Sequence, residues 1–204
     1  LAAVYSSNTA KNVKVMLLTD LRNSTEPDCI TDKAEISALK RLIDRLNLEF
    51  GGGFSFAVRE RVFSPTGGCY TGFERKRGAI ISLAKYLRDK NSGGFSLVYG
   101  DRENLQSMDY ILALDSDTSV SFEGVRRLVA AARHPLNSPV IDSELHRVVA
   151  GFGIINPITE TSVESSEKTL FSSIYTTGGT GAYSAAVNER YSDMFGEGIF
   201  TGKG

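Results

Sequence analysis

Two carboxylates separated by one residue stand at the end of an apolar run in Y-I-L-A-L-D-S-D-T-S-V, Tyr110 to Val120. Like charges this close repel each other, so Asp115 and Asp117 need a positive partner. In an extended segment residues i and i+2 face the same side, which lets both side chains share one ligand. Mg²⁺ or Mn²⁺ takes oxygen donors and keeps water or substrate phosphate in its remaining positions. The spacing therefore fits a divalent cation bridged to a diphosphate. The competing explanation is a pair of turn aspartates capping the next helix.

Other chemistry-bearing residues lie in three places. Asp20 ends the apolar run V-K-V-M-L-L-T-D. F-E-R-K-R-G, Phe73 to Gly78, puts Arg75, Lys76 and Arg77 at the start of a helical pattern, where the helix dipole prefers acids. Cations there become favourable when an anion also binds that helix end; a solvated basic turn beside Glu74 is the alternative. F-G-E-G-I-F-T-G-K-G, Phe195 to Gly204, carries glycines at 196, 198, 202 and 204 with Glu197 as its carboxylate. Such glycines let a backbone approach a flat ligand such as a sugar ring.

The elements that must position these residues can be read from periodicity. Val13 to Leu18 reads as a buried strand delivering Asp20. A helix is expected from Asp32, where Asp32 and Glu35 have capping-box spacing; Ile36, Leu39, Leu42, Ile43 and Leu46 recur on one face, and Gly51-Gly52-Gly53 stops it. Phe54, Phe56 and Val58 alternate as in a strand. A second helix runs from about Arg77 to Lys90 on Ile80, Leu83, Ala84 and Leu87. Strands are expected at Phe95 to Tyr99 and Tyr110 to Leu114. A third helix, capped by Ser121, carries Val125, Leu128, Val129 and Ala132 to His134-Pro135, and Val148 to Ile155 reads as a further strand. Thr159 to Tyr183 is expected to be loop with some helix. This β-α-β-α alternation implies an α/β fold with a mainly parallel sheet flanked by helices. Ligands in such folds bind beyond the carboxyl ends of the strands, where Asp20, Asp115 and Asp117 fall.

Bulk properties narrow the classes. The 204 residues, 41% of them hydrophobic, suffice for one domain with a sizeable core. A net charge of −1 gives no basic surface for nucleic acid, and no apolar run approaches the roughly 20 residues of a membrane span. Cys29 and Cys69 read as reduced thiols, and two histidines, His134 and His146, exclude a His-rich zinc site. A haloacid-dehalogenase-like Mg²⁺-dependent phosphatase also places D-x-D at a strand end, but it needs a lysine and an acidic pair downstream, and Asp142 and Asp193 stand isolated. F-T-G-K-G lacks the earlier glycine of a P-loop and has Gly204 where Ser or Thr belongs. A nucleotide-sugar glycosyltransferase uses the parts best. Outside the enzymes, a non-catalytic glycan- or nucleotide-binding module is the alternative.

Taken together, F-E-R-K-R-G, L-D-S-D-T, R-R-L-V-A-A-A-R-H-P-L-N-S-P-V, G-F-G-I-I-N-P and F-G-E-G-I-F-T-G-K-G resemble the glucosyltransferase region of cyclic β-1,2-glucan synthases, from about Val13 to the last residue. The resemblance implies a Rossmann-like GT-A domain over residues 1–204, present as a fragment without its first strand and its C-terminal part. It implies glucose transfer from UDP-glucose to a growing β-1,2-glucan with inversion. Asp115 and Asp117 match the D-x-D expected to hold the metal, Mg²⁺ or Mn²⁺, and to serve catalysis. Asp20, Arg75, Lys76, Arg77 and Gly78 match donor-binding positions, and Glu197, Gly198, Gly202 and Lys203 a segment bordering donor sugar and acceptor. The acceptor base, a later Arg/Trp motif and membrane segments are expected beyond Gly204, in a larger multidomain protein at the cytoplasmic face of the inner membrane; the fragment itself is expected to be soluble and inactive alone. Two positions depart from the family: Phe73 stands where Trp is usual, and Ala79 where a basic residue is usual.

Overall fold

The structure, a computed structural model, describes residues 1–8, 12–89, 93–103, 105–116, 118–155, 157 and 194. The chain divides into two compact units, Leu1–Arg126 and Arg127–Gly204.

The first unit is built on a buried strand. β1 (Val15–Thr19) pairs in parallel with β2 (Phe54–Arg59), and β2 pairs antiparallel with β5 (Phe95–Gly100). Between them in sequence lie α2 (Asp32–Phe50), the hairpin strands β3 (Val62–Ser64) and β4 (Cys69–Thr71), and α3 (Arg75–Asp89); α1 (Ala2–Ser7) precedes β1. The sheet is thus mixed, whereas the β-α-β-α reading expects mainly parallel pairing. β5 follows α3 yet enters from the opposite end, so its N-terminal Phe95 sits beside Arg59.

Every residue of β2 is buried, because helices cover both faces. Phe54, Phe56 and Val58 pack on Ile43 and Leu46 of α2, while Ala57 on the other face meets Leu83 of α3 and Phe95. Removing a side chain such as Phe54 or Phe56 from water stabilises the fold by roughly 1.5–3 kcal/mol each. The apolar positions expected in the first helix do face this core: Ile36, Leu39 and Leu42 are partly buried against it. The helix stops at Gly51, which takes φ 76° in the left-handed region.

Its start differs from the expected capping box. Thr31 occupies the N-cap position without a side-chain cap. Asp32 instead accepts from Arg61, Nη1 at 2.5 Å and Nη2 at 2.9 Å, and from the Cys29 amide at 2.9 Å. A buried guanidinium competes for this carboxylate more strongly than amides at a helix end.

Tyr110 to Leu114 is not a strand. Tyr110, Ile111 and Leu112 are exposed, and β-propensity yields a strand only where a neighbouring backbone supplies the ladder. α4 (Gly124–Ala132) begins later than Ser121, with the Val125 amide donating to Asn8 Oδ1 at 2.9 Å.

In the second unit β6 (Val140–Asp142) and β7 (Arg147–Ala150) form an antiparallel hairpin. Asp142 Oδ1 accepts the Glu144 and Leu145 amides in its turn. The strand expected over Val148 to Ile155 starts one residue earlier and ends at Ala150, before Gly151 at φ 70°. The segment Thr159 to Tyr183 lies outside the described residues.

Candidate functional site

The site grows from the shared end of the parallel pair. Met16 and Leu18 of β1 face the α3 side of the sheet, as does Ala57 of β2. With a period of two, the next residues on that face are Asp20 and Arg59, just past or at the strand ends. They meet: Nε donates to Oδ1 and Nη2 to Oδ2, both at 2.6 Å. The third guanidinium nitrogen, Nη1, donates to the Phe73 carbonyl at 2.6 Å. The guanidinium is buried while Asp20 remains about a third exposed (34%).

Two glycines make room for this guanidinium. A Cβ on Gly72 would lie 2.6 Å from Arg59 Nη2 and from Asp20 Oδ1; one on Gly78 would lie 1.9 Å from the Phe73 carbonyl oxygen and 2.6 Å from Arg59 Nη1. Gly78, expected to contact the donor, is buried in this packing. Between the glycines the backbone is strained. Glu74 and Arg75 adopt φ of 53° and 44°, a region that costs ordinary residues of order 1–3 kcal/mol and clusters at functional sites.

α3 therefore opens on Arg75, Lys76 and Arg77, with no acid in its first turn. The anion that such a start needs is present: Lys76 Nζ lies 2.7 Å from Asp115 Oδ1. The two motifs, 39 residues apart in sequence, are thus brought together. Arg77 pairs with Glu74 at 3.1 Å. Beside this helix start is an open cleft of about 520 Å³, lined among others by Asn23, Ser64, Cys69, Thr71 and Arg75, a size that suits a small-molecule ligand.

Asp117, Glu197, Gly198, Gly202 and Lys203 lie outside the described residues. Asp115 offers the hard oxygen donor that Mg²⁺ or Mn²⁺ favours; among the described residues no group of three or more His, Cys, Asp or Glu side chains gathers as a metal site.

Sequence reasoning missed Arg59, Gly72 and the hairpin wall of the cleft. A signal for Arg59 existed: it stands at the end of the apolar run F-S-F-A-V-R, the place that Asp20 holds on β1. It also missed the distant partners of two carboxylates outside the site, the buried Asp32 and the partly buried Asp101. The Arg61 hydrogen bond holds the Asp32 carboxyl below its usual range against the cost of burial. Burial pushes the Asp101 carboxyl up, but Lys14 and the Gly53 and Glu103 amides outweigh it and the net shift is downward.

No protein-family model matches the chain. An α/β chain with an acid at its strand end and a cationic helix start paired to a second acid is here related to a glucan synthase. The relative is cyclic beta-(1,2)-glucan synthase NdvB of Rhizobium meliloti (strain 1021), 31% identical over 206 residues, which cover 98% of this chain and 7% of that protein. The resemblance read from the motifs is borne out, and the chain spans a small part of that relative's length. Among the described residues no helix is long and apolar enough to cross a membrane.

Proposed function

We propose that this chain is the donor-binding core of an inverting glycosyltransferase with a GT-A architecture, which takes glucose from UDP-glucose to extend a β-1,2-glucan. The observation that carries the reading is the Lys76–Asp115 pair at 2.7 Å, which joins a cationic helix start to an acid at the end of an apolar run, beside an open cleft, in a chain related to a glucan synthase. Arg75, Lys76 and Arg77 bind the diphosphate oxygens, since they combine charge with the exposed amides of a helix N-terminus. Asp20, held by Arg59, lies toward the nucleoside. Asp115 and Asp117 hold Mg²⁺ or Mn²⁺, which supplies positive charge to the diphosphate as it becomes the leaving group.

The acceptor hydroxyl needs a base within hydrogen-bond reach, and the resemblance puts that base beyond this chain, within a larger membrane-associated protein. Binding of UDP without glucose transfer is therefore the expected behaviour of the 204-residue chain.

Calorimetry with UDP in Mn²⁺ or Mg²⁺ tests the reading. UDP binding that depends on the metal and is lost in Asp115→Ala/Asp117→Ala supports it. Unchanged UDP affinity in that double variant, with metal present, overturns it, and detectable glucose transfer by the chain alone overturns the statement on turnover.

A further inference from the structure

The open cleft beside α3 is walled by three parts of the chain. Asn23 comes from the segment after β1, Cys69 and Thr71 from the β3–β4 hairpin, and Gly72 and Arg75 from the turn into α3. Two arginines with buried side chains, Arg59 and Arg61, hold these walls from the place where β2 ends. Arg59 bonds the Phe73 carbonyl on the α3 side. Arg61 donates from Nε to the Arg22 carbonyl at 2.8 Å and from Nη1 to the Pro27 carbonyl at 3.2 Å. The segment between those carbonyls is also laced to the hairpin: the Tyr70 amide donates to the Ser24 carbonyl at 2.7 Å, and the Ser24 amide to the Tyr70 carbonyl at 3.1 Å. The walls are thus fixed by the protein's own bonds, and a site fixed in this way loses less entropy on binding.

The lining is chemically divided. Arg75 brings positive charge on the helix side, while Glu74 beside it is paired with Arg77. On the other walls the groups are neutral: the Asn23 amide, the Thr71 hydroxyl and the Cys69 thiol. Among the described residues the side chains of Asn23 and Thr71 have no hydrogen-bond partner. Gly72 also abuts the partly exposed Asp20 carboxylate, which keeps lone pairs beyond those that Arg59 uses. A matching ligand is neutral and polar at one end and anionic at the other.

We infer that this cleft holds the nucleoside of the donor, that Asn23 and Thr71 recognise it, and that the phosphates begin at Arg75. The inference rests on the proposed reading of the chain as a UDP-glucose-binding core. The nucleoside fits better than the sugar because a side-chain amide sets a donor beside an acceptor. Uracil presents the complementary pattern in its ring N–H and flanking carbonyls, whereas glucose presents hydroxyls. The Asp20 carboxylate can then accept from a ribose hydroxyl.

The chain carries its own reporters. Cys69 lines the cleft and Cys29 is not among its lining residues; both are unpaired and partly exposed. N-ethylmaleimide labelling of the 204-residue chain, read at each cysteine by peptide mass spectrometry, is compared with UDP, UDP-glucose or inorganic pyrophosphate present in Mg²⁺. UDP and UDP-glucose should both slow labelling of Cys69 and leave Cys29 unchanged, and pyrophosphate should protect neither. By calorimetry, Asn23→Ala and Thr71→Val should each weaken UDP by about two- to tenfold, the range of one neutral hydrogen bond, and leave pyrophosphate affinity unaltered. Arg75→Gly should weaken both ligands. A loss confined to UDP is not produced by misfolding, and an unchanged urea midpoint checks the fold of each variant.

If UDP binds but leaves Cys69 as reactive as before, or if both variants bind UDP as the parent chain does or lose pyrophosphate equally, the inference is overturned and the proposed function stands. Protection of Cys69 by UDP-glucose and not by UDP would put the sugar in the cleft, with the same consequence. If neither UDP nor UDP-glucose binds the chain, the proposed function fails and takes the inference with it.

Discussion

Arg59 and Asp20 are joined by two parallel hydrogen bonds of 2.6 Å across 39 residues of sequence. The pair ties the ends of both parallel strands together, and through the Phe73 carbonyl it ties them to the start of α3. Positions of the cations on that helix thus depend on one buried guanidinium.

The pair is asymmetric, and mutation should show it. Asp20 is partly exposed and can regain water, whereas Arg59 is 4% exposed. Asp20→Ala strands a buried charge and should cost about 3 kcal/mol, the lower end for breaking a buried pair. Arg59→Met should cost less. In the double variant the penalties should not add, because the second change removes the stranded charge. Urea unfolding of the four proteins measures the cycle; additive losses would refute a direct coupling.

Gly78→Ala should invert the usual helix rule. In an open helix interior the change gains up to about 1 kcal/mol. Here the new methyl would meet the Phe73 carbonyl oxygen and Arg59 Nη1, and overpacking costs about 1–3 kcal/mol. A lower thermal midpoint than the parent chain is expected, and a higher one would show that the loop before α3 yields.

Arg75→Gly should separate stability from binding. Arg75 holds φ at 44°, which glycine adopts freely, so the variant should be as stable as the parent or up to about 1 kcal/mol more stable. It also loses a cation from the proposed phosphate site, so UDP affinity in Mn²⁺ should fall. Unfolding and calorimetry on the same sample decide the matter; unchanged affinity would remove Arg75 from the site.

Acid sensitivity should trace to Asp32 and Asp101. Their carboxyls are held low in the folded chain by Arg61 and, against burial, by Lys14 and backbone amides. A depressed folded value means that the stabilisation is present above the ordinary carboxylate range and is lost as pH falls through the folded values. The unfolding free energy should therefore drop on acidification, and Asp32→Asn should flatten that drop while lowering stability at neutral pH. An unaltered pH slope in the variant would exclude Asp32 as a contributor.

The elements were legible to different degrees. α2 and β2 could be read because periods of 3.6 and 2 are properties of neighbouring residues: Ile43 and Leu46 lie on the buried face, and Phe54, Phe56 and Val58 on theirs. The run Tyr110 to Leu114 misled because an apolar stretch records the capacity to pair, and no strand partners it among the described residues. The capping spacing at Asp32 misled because Arg61, 29 residues away, claims the carboxylate. At the candidate site the types of Asp20, Lys76 and Asp115 were legible and their partners were not.

The chain's own order of residues determined β1, α2, β2 and α3, the acid at the end of β1, the cations at the start of α3 and the relation to a glucan synthase. Tertiary structure alone decided that Arg59 holds Asp20, that Lys76 meets Asp115, and that β5 runs antiparallel beside β2. The reason is physical. Periodicity and helix-end chemistry act over a few residues, whereas these contacts depend on sheet register and on how α3 seats against it, which no local spacing encodes.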